Sequence, residues 1–315
     1  MENEIKIILS HFKTGDYVNT IKKAKKLSKK NPHNFFLKNL IGSALLQSGN
    51  LQEAIINFKL SIALSPTNIA ALNNLANSYK ITGEYKLAEI YYLKALDCDE
   101  KYINGLVNYA NFKILLNETN VAIELLKKAL SIDVNNYIAH YNLATAYQTI
   151  GKYSDALNHA EQTIKNNPTF APADKLISAL TKYNNQNAHL LDMERKLNNK
   201  NTNELNKVYL NFGIAKAYGD LKNFDKFIKH IKIGNDIRKK IFQYDVKNDI
   251  ILMDKIKLIF KDINYLDFKL KETEKKIIFI LGMPRSGSSL LQKMLSAHQR
   301  ILGAGELPFL KQILS

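Results

Sequence analysis

Small residues, glycines and asparagines recur along the first two-thirds of this chain at a spacing of 34 residues. Laid end to end, five units begin at Met1, Phe35, Ile69, Ile103 and Tyr137. The eighth position of units two to five is Gly42, Ala76, Ala110 and Ala144, and the twentieth is Ala54, Ala88, Ala122 and Ala156. Small residues at two such positions let the helices of a hairpin approach closely, because side chains at the crossing set the interaxial distance. Leu75 and Tyr79 on one helix and Tyr92 on the other are large enough to fill the remaining space. The turn position is Gly15, Gly49, Gly83 and Gly151, with Asn117 in unit four. A left-handed residue there ends a helix cheaply. Pro32, Pro66 and Pro168 mark the junctions between units. Unit one carries Ile8 and Thr20 at its small positions, a departure expected of a terminal repeat.

A helical hairpin of this length resembles the tetratricopeptide repeat. The fold expected is therefore mainly α, a right-handed superhelix of repeats with a concave groove. The first strand, loop and helix of an α/β, P-loop-like domain follow it. Residues 1–170 hold the five repeats. Residues 171–260 read as degenerate repeat and capping helices, with one helix from Ala171 to Tyr183, a helical patch at Leu190–Leu197, and a helix pair closing at Gly234-Asn235. Another amphipathic helix is expected from Phe242 to Phe260. Residues 261–275 are a charged linker, and 276–315 begin the second domain, incompletely.

Asparagines punctuate the repeats. Asn74, Asn108 and Asn142 recur at the sixth position, and Asn77 and Asn111 at the ninth. Each amide offers a donor and an acceptor, so a row of them one repeat apart can bind a peptide backbone. The pattern is similar to the asparagine-ladder repeats of O-linked N-acetylglucosamine transferase, which implies a peptide or protein partner in the groove. The other reading is that these are ordinary solvated or intra-repeat residues.

The most informative stretch lies near the end. Ile277-Ile278-Phe279-Ile280-Leu281 is a short apolar run suited to a buried strand. Gly282-Met283-Pro284-Arg285-Ser286-Gly287 is a turn, and from Ser288 the positions Leu290, Leu291, Met294 and Leu295 have helical spacing. Strand, glycine-rich turn and helix N-terminus together make an anion site. Gly282, Gly287 and Ser289 match the ordinary phosphate loop, but Ser288 stands where a nucleotide triphosphatase has lysine. A kinase or triphosphatase is disfavoured on that ground. Arg285 with two following hydroxyls suits a dianionic group held without metal.

GMPRSGSSLLQKML followed by HQRILGAGEL resembles the first motif of sulfotransferases that use 3′-phosphoadenosine 5′-phosphosulfate (PAPS). It is most similar to the branch with protein-tyrosine sulfotransferases and bacterial proteins joining tetratricopeptide repeats to a sulfotransferase domain. The resemblance implies that Arg285, Ser286, Gly287, Ser288 and Ser289 bind the 5′-phosphosulfate. Arg285 would also stabilise charge in the transfer, and Glu306 would be the catalytic base. It further implies PAPS as co-substrate, no metal, and a hydroxyl acceptor such as a peptide tyrosine.

One cysteine, Cys98, leaves no intrachain disulfide or multi-cysteine metal site. No apolar run approaches the roughly 20 residues that span a bilayer, and the chain's start lacks a basic signal region. A cytoplasmic protein is expected. The net charge of +16 is spread over exposed helix faces such as Lys22-Lys23 and Lys25-Lys26, without a nucleic-acid motif. His140, His159 and His230 read as structural or solvated, and His298 as a helix cap. The expected second domain needs further parallel strands to cover its first. The 315 residues therefore read as an inactive fragment rather than a natural truncation, with a non-catalytic peptide-binding scaffold as the alternative.

Overall fold

The computed structural model describes residues 1–184, 187–243, 245–261, 278, 280 and 287–303. Within them are sixteen α-helices and no strand. The first ten form five antiparallel hairpins: α1 (Glu2–Lys13) with α2 (Tyr17–Lys30), α3 (Phe35–Gln47) with α4 (Leu51–Leu64), and α5 (Ile69–Thr82) with α6 (Tyr85–Cys98). These are followed by α7 (Ile103–Leu115) with α8 (Thr119–Ile132), and α9 (Tyr137–Thr149) with α10 (Tyr153–Asn166). The chain divides into two compact units, Met1–Arg238 and Lys239–Ser315.

All five hairpin turns use one device. Gly15, Gly49, Gly83 and Gly151 have φ of +79°, +85°, +80° and +79°, and Asn117 has +61°. The amide of each turn residue donates to a carbonyl three residues back, and the next amide donates five back, as in Asn117→Ile114 (3.0 Å) and Glu118→Lys113 (2.8 Å). These bonds satisfy carbonyls that a helix end would otherwise leave bare. Asparagine does similar work at the other end. Asn34, Asn68 and Asn136 accept from the amides of Leu37, Ala71 and Ala139 and so cap α3, α5 and α9.

The hairpins close on their small residues. Ala54, Ala76, Ala88, Ala110, Ala122, Ala144 and Ala156 are fully buried. Leu75 and Tyr92 are also fully buried and Tyr79 nearly so. In unit one Ile8 and Thr20 occupy the corresponding places and are likewise enclosed. Aromatic packing bridges units three and four. The Tyr92 ring lies 5.4 Å from Phe112 and 5.6 Å from Tyr109.

Beyond the repeats, α11 (Ala171–Leu180) packs on α13 (Glu204–Asp220), with α12 (Ala188–Asn198) also against α13. Leu190, Met193, Leu210 and Ile214 form their shared core. Helix α11 stops at Leu180 rather than Tyr183, whose backbone amide instead donates to Asp220 Oδ2 at 2.9 Å. The expected close at Gly234-Asn235 is not found. Helix α14 runs through it, from Phe224 to Phe242. Gly234 is there for proximity, since a Cβ on it would sit 3.2 Å from the Phe212 ring of α13.

In the second unit, α15 covers Val246–Phe260 and begins four residues later than expected, at a cap made by Asp245. Helix α16 covers Ser288–Ser296. Of the expected strand at 277–281 only residues 278 and 280 are described, neither in a strand, and nearly all of the linker lies outside the described residues.

Gly42 provides a test of this packing. A Cβ there would meet three atoms of the buried Phe58 ring at 2.6–3.1 Å. Gly42→Ala should lower unfolding free energy by about 1–3 kcal/mol in urea titration, although alanine is the better helix former. Unchanged stability would show that the crossing has slack.

Candidate functional site

The sixth-position asparagines hold the repeats to one another. Asn74 Nδ2 donates to Asn39 Oδ1 at 3.1 Å and to Ser43 Oγ at 3.2 Å. Asn108 Nδ2 donates to Asn73 Oδ1 at 3.2 Å. The bonds to Asn39 and Asn73 join position six of one unit to position five of the unit before, and the bond to Ser43 reaches position nine. Asn142 continues the series, but the matching fifth position is Val107, which offers no acceptor. Asn142 is buried and its Nδ2 has no partner.

The ninth position behaves differently. Asn77 Oδ1 accepts from the Tyr92 hydroxyl at 2.6 Å inside its own repeat, so that amide oxygen is already engaged. Asn111 is half-buried on α7. The structure thus brings Asn73, Asn74 and Asn108 to one cavity of about 250 Å³, which Tyr102, Val107 and Ile138 also line. Asn77, Asn111 and Asn142 do not line it. Position five was missed in the sequence, because asparagine occurs there in units two and three and not in units four and five.

Charged side chains inside the array serve packing. Lys113 is nearly buried between Glu89 Oε1 (2.6 Å) and Glu118 Oε2 (2.8 Å), and the Tyr109 hydroxyl donates to the same Glu89 oxygen at 2.9 Å. Burial opposes the Lys113 charge, but bonds to Glu118 and Glu89 outweigh it and hold the pKa above its ordinary value. Burial, then Glu89, pushes the Tyr109 phenol up to about 12. In the capping region, buried Asp174 Oδ1 accepts from Lys196 Nζ (2.8 Å) and His189 Nε2 (3.1 Å). The Tyr183 hydroxyl meets the other nitrogen of His189 at 2.7 Å. Burial raises the Tyr183 pKa, which makes that phenol a poor nucleophile.

His140 and His159 form a pair. His140 Nε2 donates to the Val134 carbonyl at 2.9 Å, so its Nδ1 accepts from His159 Nδ1 across 2.9 Å. Tyr147 stacks on His159 at 5.6 Å. No group of three or more potential metal ligands occurs among the described residues.

Of the expected anion site, Gly287, Ser288 and Ser289 are described; Arg285, Ser286 and Glu306 lie outside the described residues. Gly287 is the N-cap of α16 with φ +92°, and its carbonyl accepts from the Leu291 amide at 2.9 Å. Ser288 and Ser289 are the first two residues of that helix, where the helix dipole favours an anion. His298 ends the following turn, accepting from the Arg300 amide at 3.2 Å.

Family comparisons divide along the same line. Tetratricopeptide repeat models match residues 37–68, 69–101 and 114–188, and a Sulfotransferase family model matches residues 278–315. An uncharacterized protein of Aquifex aeolicus (strain VF5) is 25% identical over 231 residues, 70% of this chain and 30% of that protein. The BBSome complex member bbs-4 of Caenorhabditis elegans is 26% identical over 204 residues, 64% of this chain and 43% of that protein. The chain thus spans less than half the length of these curated relatives. A tetratricopeptide repeat protein from Parabacteroides merdae superposes with a TM-score of 0.54 at 20% identity, covering 75% of this chain and 92% of that one. The array is therefore a tetratricopeptide-repeat superhelix. A short sulfotransferase-like segment follows it in sequence. No described helix is long and apolar enough to cross a membrane.

The histidine pair predicts a pH response. Burial, then His140, lowers the His159 pKa from its ordinary 6.5, with Asp155 opposing. The unfolded chain therefore binds more protons as pH falls through that value, and stability present above it is lost on acidification. The melting temperature should fall between about pH 7.5 and about pH 5.5, before the lowered carboxylates Asp16, Glu89, Asp192 and Asp220 titrate. His159→Gln should make that slope shallower, the remainder coming from His230, whose pKa burial also lowers. An identical slope in the variant would place the proton elsewhere.

Proposed function

We propose that the repeats hold a peptide or protein acceptor for a PAPS-dependent sulfotransferase whose domain begins at residue 278. The family match at 278–315 is the observation that carries this reading. Its first motif supplies Arg285 and Ser286 ahead of the Gly287 cap, then the hydroxyls of Ser288 and Ser289. Guanidinium, hydroxyl and helix-terminal amides are complementary to a 5′-phosphosulfate without metal.

The chemistry is substitution at sulfur. An acceptor hydroxyl, tyrosine on a peptide, attacks as Glu306 takes its proton, and the bond from sulfur to the bridging oxygen breaks. Negative charge then grows on the leaving phosphate, where Arg285 and the loop amides stabilise it. In the natural protein carrying this sequence, Glu306→Gln should reduce transfer of labelled sulfate to peptide by about 10²–10⁴-fold. Arg285→Ala should raise the nucleotide KM as well. Transfer untouched by Glu306→Gln would remove the base from this scheme.

A second reading is a scaffold without chemistry. The repeats alone account for the likeness to a relative named as a member of a complex. Both readings place a peptide in the groove. Replacing Asn74, Asn108 and Asn142 together by Ala should weaken peptide binding about tenfold or more, with little change in helical circular dichroism. Unaltered binding would take the asparagines out of recognition. PAPS-dependent transfer in the natural protein, without ATP hydrolysis, separates the enzyme from the scaffold.

A further inference from the structure

We infer that the cavity between repeats three and four is a subsite that reads an uncharged carboxamide side chain, glutamine or asparagine, on the bound peptide. This rests on the groove being a peptide site. The inter-repeat bond fixes the polarity of the cavity. Asn73 is about 97% buried, given 3% relative exposure, and its Oδ1 is taken by Asn108 Nδ2. Its Nδ2 is therefore the polar atom left to a side chain that lines the cavity. The same bond commits Asn108 as a donor and leaves its Oδ1 as an acceptor. Asn74, which gives its Nδ2 to Asn39 and Ser43, likewise keeps Oδ1.

Asn73 Nδ2, Asn74 Oδ1 and Asn108 Oδ1 thus offer an oriented donor and two oriented acceptors, the complement of a primary amide with one carbonyl and two N–H bonds, and the exposed amide of Asn104 borders the same cavity. Tyr102, Val107 and Ile138 provide an apolar wall for the methylene stem. At about 250 Å³ the space exceeds what a backbone amide alone fills. Asn136 also borders it, but its amide is spent on capping α9 and on Asp133.

Charge decides the selectivity. Among the described residues no charged side chain lines the cavity. A carboxylate would face Asn74 Oδ1 and Asn108 Oδ1 with no counter-charge; an ammonium would meet those two acceptors but no counter-charge either, and would leave the Asn73 donor unpaired. Each would give up water without repayment. An aliphatic side chain would leave Asn73 Nδ2 and Asn108 Oδ1 unpaired, which costs more than a hydrogen bond gains.

The test uses fluorescent dodecapeptide pools with random flanks and one fixed central residue, titrated by anisotropy into the full chain. Pools fixed as Gln or Asn should bind about tenfold more tightly than those fixed as Glu, Lys or Leu. Asn73→Asp keeps the oxygen that Asn108 needs and turns the donor into a carboxylate. It should cancel the glutamine preference and move it to lysine, with the fold checked by thermal melting. Equal binding of Gln and Glu pools to the native chain overturns the inference while leaving the peptide groove intact. Binding of no pool overturns both. Free N-acetylglutaminamide competing as well as the Gln pool at equal concentration would make the ligand a small amide and overturn the peptide assignment.

Discussion

The whole array depends on pairs of helices coming close at alanine or glycine. Every hairpin from the second onward has such residues at its crossing, and the alanines among them are fully enclosed. Once the backbones are that near, large neighbours such as Leu75, Tyr92 and Leu126 can seal the space around them. Each hairpin still has an apolar flank that it cannot cover by itself. The next hairpin covers it, and stability then accumulates from nearest neighbours.

Polar groups add direction to that stack. The amide bonds from Asn74 to Asn39 and from Asn108 to Asn73 run always from a later unit to an earlier one. Lys113 joins units three and four in the same sense, reaching back to Glu89 while Glu118 holds it from its own hairpin. Because the bonded amides cannot rotate without losing these partners, the atoms they show to the groove are pre-set. The relay ends where Val107 replaces asparagine, and the next amide, Asn142, is left with a buried unpaired nitrogen.

Much of this was legible in the residues. The period, the small positions and the turns follow from local requirements that permit few substitutes, and Asn117 takes the glycine conformation with φ +61°. What escaped depends on tertiary neighbours. Gly234 reads as a stop, yet its lack of a side chain serves the approach of Phe212, and the helix continues. Asn77 reads as a groove residue, yet Tyr92, fifteen positions away, claims its oxygen. The amide-lined cavity was half visible, since the ladder was counted at position six while its acceptors stand at position five. For the segment expected to hold an anion, the sequence argument and the family match fall on the same residues, and the described geometry contributes the Gly287 cap and the start of α16.

The Phe58 ring against Gly42 has a consequence for how such a chain can evolve. Units three to five place alanine where unit two has glycine, and unit three still holds an aromatic ring, Tyr92, at the place of Phe58, so what is particular to unit two is how near its ring lies to the backbone. The hairpins look like interchangeable cassettes on paper. In fact a duplication or shuffle that set the fourth helix beside an alanine-bearing partner would have to move the two helices apart or turn the ring, so the halves of the second unit are fitted to each other more closely than to their counterparts.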